Sequence, residues 1–114
     1  MALVLIKEDG TGKVDANSYA SAADAASYFE GHLYATSWNA TSAANKEAAL
    51  VMATRLIDSH YQFGGTKAKA TQALQWPREN CSDPDAGRWS GRVVPADSIP
   101  KAVVQATCEM ARDL

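Results

Sequence analysis

The sequence predicts a mainly α fold, a small bundle of three to four helices with a short N-terminal β segment and a long irregular or β arm. Three observations carry this expectation. Ala49, Leu50, Ala53, Leu56, Ile57 and Tyr61 recur at steps of three and four, the clearest helical period in the chain. Two helix-start signals, Ser21 with Asp24 three residues on and Thr41-Ser42, each precede a periodic stretch. Across residues 66–97 the helical period disappears, and Pro77, Pro84, Pro95, Gly87 and Gly91 punctuate the chain instead.

Taken in order, Leu3-Val4-Leu5-Ile6 is a short aliphatic and β-branched run, and Glu8-Asp9-Gly10-Thr11-Gly12 follows as a turn. The first helix begins after Ser21, is expected to put Ala25, Tyr28, Phe29 and Leu33 on one face, and should stop between Ala35 and Ser37. Thr41-Ser42 caps the second helix, and Gly64-Gly65 reads as its C-cap. Residues 18–65 thus hold two helices, and 66–97 form the arm, in which 87–94 read as a short extended piece. Residues 98–114 hold the last helix, with Pro100 in its first turn. Leu50, Ala53, Ile57, Tyr28, Phe29, Val103 and Met110 are the expected core. No stop signal precedes Leu114, so the expectation is a last helix cut short there.

At 114 residues the chain is expected to be a single domain, 1–114, long enough to bury a core. Its net charge of −2 argues against a generally basic nucleic-acid binder and leaves a local patch open. The apolar run at the N-terminus is too short for a signal-peptide core or a membrane span, so a cytoplasmic chain with reduced thiols is expected.

Gly10-Thr11-Gly12 lacks the third glycine of a dinucleotide cradle, and 63–67 lack the spacing of a phosphate loop. Asp83-Pro84-Asp85 opens like a calcium loop, but Gly87, Arg88 and Val94 occupy positions that such a loop gives to a ligand, a glycine and a glutamate. His32 and His60 have no accompanying ligand cluster, and Cys81 and Cys108 fit no zinc or redox spacing. Cys108 sits among apolar helical neighbours and reads as core. No acid–base pair, metal set or activated nucleophile emerges, so the expectation is a protein with no catalytic residues, no metal, no cofactor and no enzymatic activity.

What remains is a cluster of Trp and Arg in the arm: Trp76, Pro77, Arg78, Arg88, Trp89 and Arg92. Pro77 fixes its own φ and biases Trp76 toward an extended backbone. Arginine interleaved with aromatics serves three uses: a protein interface, stacking and phosphate contact on single-stranded nucleic acid, or indoles folded back on the helices with solvated guanidinium groups. Of these uses, a protein interface is the expected role of the six residues.

The ordered elements Ala16-Asn17-Ser18-Tyr19, Tyr28-Phe29, Trp38, Lys46-Glu47-Ala48-Ala49-Leu50, Ala53-Thr54-Arg55, Ile57-Asp58, Leu74-Gln75-Trp76-Pro77-Arg78 and Ile99-Pro100 resemble a family of tailed-bacteriophage structural proteins. That family is similar to the head–tail connector adaptors, and its members are often labelled DnaT-like single-stranded-DNA-binding proteins. The resemblance runs from about Leu3 to Leu114. It implies a structural virion protein made in the host cytoplasm and built into the capsid vertex. There it would form a homo-oligomeric ring, usually of twelve copies, between the portal protein and a tail-side completion or terminator protein. DNA would pass through the lumen without specific binding, and no membrane would be involved. The acidic balance suits such a lumen, since phosphate attraction would retard sliding. The label implies the alternative, a protein that binds single strands.

Overall fold

The computed structural model describes residues 3–83 and 91–114. Four helices and a two-stranded antiparallel sheet make up the fold: α1 (Ala22–Phe29), α2 (Thr36–Asn39), α3 (Ala43–His60), β1 (Thr66–Lys67), β2 (Arg78–Glu79) and α4 (Lys101–Asp113). The expected fold class is the observed one. The sheet belongs to the arm, and the span expected to hold two helices contains three.

Helix α1 starts where its capping box places it. Ser21 Oγ accepts from the Asp24 amide at 3.1 Å, and the Asp24 carboxylate accepts from the Ser21 amide at 3.0 Å. The helix ends at Phe29, earlier than expected, with Gly31 just beyond it. Leu33 therefore leaves the apolar face and is 88% exposed. Ser42 caps α3 by accepting from Asn45. α3 ends at His60, and Tyr61 is already extended, so Gly64-Gly65 does not cap it. Gly65 instead takes the turn into β1 at φ 73°, where a Cβ would lie 2.0 Å from the Glu79 carbonyl oxygen.

Helices α3 and α4 run antiparallel, since residues 45–52 neighbour 111–114 while 57–61 neighbour 102–110. One core cluster gathers Ala25 and Phe29 of α1, Trp38 of α2, Leu50 and Ala53 of α3, and Cys108 and Ala111 of α4. Burial pushes the Cys108 thiol up to about 11, which keeps it protonated and unreactive. A second cluster packs the arm against α3 and α4 through Tyr19, Ile57, Leu74, Trp76, Val94 and Val103. Of the expected core, Tyr28 and Met110 are only partly buried.

The N-terminal segment is extended, but its expected strand reduces to one parallel bridge between Lys7 and Ser18. Asn17 holds it, accepting from the Ile6 amide and donating to the Val4 carbonyl. Glu8 is fully buried, and its carboxylate accepts from the amides of Gly10, Gly12 and Lys13. The glycine turn is thus an anion cradle filled by the chain's own side chain.

The arm is ordered by pairing. Thr66 faces Glu79 and Lys67 faces Arg78 in the sheet, and a bridge joins Ser82 to Val93. Among the described residues no helix is long and apolar enough to cross a membrane.

Candidate functional site: an apolar groove beside the Trp-Pro-Arg segment

The expected site residues divide into three groups. Trp76, Pro77 and Arg78 come together, but inside the protein: Trp76 is 4% exposed and Arg78 8%. Arg92 is exposed and lies 3.5 Å from the Asp83 carboxylate. Arg88 and Trp89 lie outside the described residues, as does most of the calcium-loop candidate, residues 84–90.

Inside the protein the backbone amide of Trp76 and the Arg78 guanidinium find partners, while the buried Trp76 Nε1 has none among the described residues. The Trp76–Pro77 peptide is cis. The Tyr19 hydroxyl donates to Asp58 and accepts from the Trp76 amide at 3.2 Å. The other Asp58 oxygen accepts from the Gln75 amide. Burial pushes the Tyr19 phenol well above its ordinary range, and the Asp58 carboxylate beside it acts in the same direction. Burial also raises the Asp58 carboxyl, against the pull of its hydrogen bonds. The guanidinium of Arg78 is buried and, among the described residues, forms no ion pair with a carboxylate. Its Nε donates to the Gly64 carbonyl at 2.8 Å, Nη2 donates to that of Gly65 at 2.8 Å, and Nη1 donates to Gln75 Oε1 at 3.0 Å. A fork of five donors suits a loop of converging carbonyls, which an ammonium would satisfy less well. Of the expected interface side chains, Trp76 fills the second core cluster and Arg78 clamps residues 63–65.

That clamp positions Phe63. Its ring meets Trp76 edge-on at a centroid distance of 5.3 Å, and it lines an open groove. The groove, about 250 Å³, lies between the end of α3 and the start of α4. Ile57, Tyr61, Phe63, Ala102, Val103, Ala106 and Met110 line it. Tyr61 is 59% exposed. His60, Lys67 and Lys101 stand within four residues of the lining in sequence. Neither Lys67 nor Lys101 forms an ion pair among the described residues. An aromatic ring exposed over an apolar floor can stack a flat ligand, and lysines close to it in the chain can meet negative charge. Sequence reasoning missed this groove by assigning Tyr61 to the buried face of α3. The available signal was that Tyr61 lies just before the glycine pair.

Compared with known families, residues 1–114 match the one described as "Putative DnaT-like ssDNA binding protein". The chain belongs to this family. No curated protein and no solved structure matches it.

Proposed function

We propose that the chain binds single-stranded DNA along the α3–α4 groove, without catalysis. The observation that carries this reading is the exposed Tyr61 ring at an apolar groove, with Lys67 and Lys101 close to the lining residues in sequence. Family membership across the whole chain supports the same reading. Bases stack on Tyr61 and Phe63, and the lysines meet the phosphates. The test is fluorescence anisotropy with a labelled oligothymidine. Affinity should fall steeply between about 50 and 200 mM salt, and Tyr61→Ala should weaken binding by roughly tenfold or more. Binding that ignores both salt and Tyr61→Ala sinks the reading.

A second reading, the head–tail connector subunit, is favoured by a different observation. Leu33 and Tyr34 form an exposed apolar tip, 88% and 72% accessible, and none of the groove-lining residues belongs to it. Two unlike apolar surfaces on one chain suit head-to-tail association, which gives a ring when the rotation between subunits closes. A ring of about twelve copies, with portal and tail-side partners and DNA in its lumen, is what the resemblance adds. Sedimentation alone and with the oligonucleotide separates the two readings. Oligonucleotide that co-sediments at low salt supports the first, and a large DNA-free ring supports the second.

A further inference from the structure

The imidazole of His32 is held from both sides. Its Nδ1 accepts from the Tyr34 amide at 2.9 Å. A backbone N–H can only donate, so Nδ1 carries the lone pair and the ring's single proton sits on Nε2. Nε2 lies 3.1 Å from Glu109 Oε2 and 3.3 Å from Oε1, to which it donates. The side chain is 15% exposed, while its hydrogen bond with the Tyr34 amide lies at the surface. Its neighbours from α4 are Glu109 and Arg112, whose Nε stands 3.5 Å from Glu109 Oε1. From α1 they are Tyr28, whose hydroxyl donates to Glu109, and Phe29, whose ring meets the imidazole edge-on. The Tyr34 ring meets it from the loop.

A second proton has one place to go, Nδ1. There it would face the Tyr34 N–H, donor against donor, at 2.9 Å. The charged ring would gain the Glu109 carboxylate as an ion-pair partner, with Arg112 opposing. Protonation thus exchanges the anchor of one backbone amide for a salt bridge to α4. The residues beside that anchor, Leu33 and Tyr34, carry the two most exposed large apolar side chains among the described residues.

We propose that His32 is a pH-sensitive latch: neutral, it fastens the apolar Leu33–Tyr34 tip through the Tyr34 amide, and protonated, it releases the tip while binding Glu109. The inference rests on neither functional reading above, because it concerns the tip's backbone and not its ligand. Histidine is the side chain suited to such a switch in the physiological range.

The test is a nuclear magnetic resonance titration of the ¹⁵N-labelled protein from about pH 8 to 5. The ring nitrogens of His32 should report the Nε2–H tautomer at the upper end. Exchange of the Tyr34 amide, corrected for its intrinsic pH dependence, should accelerate roughly three- to tenfold as His32 takes its second proton, the worth of one hydrogen bond. His32→Asn supplies an acceptor at the Nδ1 position with nothing to titrate, so its Tyr34 amide should stay protected across the range. Glu109→Gln should move the wild-type transition to lower pH. A Tyr34 amide indifferent to His32 ionisation, or a ring proton on Nδ1 at pH 8, overturns the proposal.

Discussion

The phenol of Tyr19 joins three parts of the chain that are distant in sequence. It donates to Asp58 on α3, accepts from Trp76 in the arm, and stands at the end of the segment that Asn17 fastens to the N-terminus. Removing the hydroxyl leaves a buried amide and a part-buried carboxylate oxygen each short of a partner. Tyr19→Phe should therefore cost about 2–3 kcal/mol in urea unfolding, with the slope unchanged. Residue type alone revealed only part of this site. That Trp76-Pro77-Arg78 is rigid follows from the proline. That Arg78 is buried does not, because its partners are carbonyls 13 to 15 residues earlier, and every residue has a carbonyl.

At the scale of elements, local signals were legible where local physics decides. The Ser21 capping box and the Ser42 cap both lie where the sequence puts them. Ser21→Ala should cost about 1 kcal/mol, read as a lowered urea midpoint, while groove binding stays intact because α1 lines none of it. The ends of helices were less legible. α1 stops at Phe29 although the apolar pattern continues to Leu33, because the following turn is held by a side-chain acceptor, His32 Nδ1. The two-residue strands of the arm carry no alternating pattern long enough to announce a sheet. Their pairing comes from the Arg78 clamp and the Gly65 turn, both non-local.

For the whole molecule, pH dependence follows from carboxylates of opposite sign. The Tyr28 hydroxyl holds Glu109 below its ordinary range, with burial opposing and His32 and Arg112 assisting. Burial would raise Asp24, but the Lys7 ammonium and the Ser21 cap bring it down. A depressed carboxyl contributes stability that is present above its unfolded value, about 4, and lost as pH falls through the folded value. Asp58 is raised by burial, so its contribution is present below the unfolded value and lost as pH rises through the folded one. The Tm of wild type minus that of Asp58→Asn should therefore decline as pH goes from about 4 to 7. A difference that stays flat or grows over that range contradicts the burial account. The acid limb below about pH 4 should persist in the variant, since Glu109 and Asp24 remain.

The seat of Gly10 bears on the order in which the protein can be made. A Cβ there would fall 2.2 Å from the Asp97 carbonyl oxygen, so the Glu8 cradle closes directly against the lead-in to α4. Asp97 is translated long after Gly10. A nascent chain can form α1 and α3 early, since their caps and periods are local, yet the N-terminal loop has no seat until the last helix is leaving the ribosome. Closure across so long a stretch of sequence is slow compared with helix formation. The segment that precedes α1 is thus among the last of these elements to find its place.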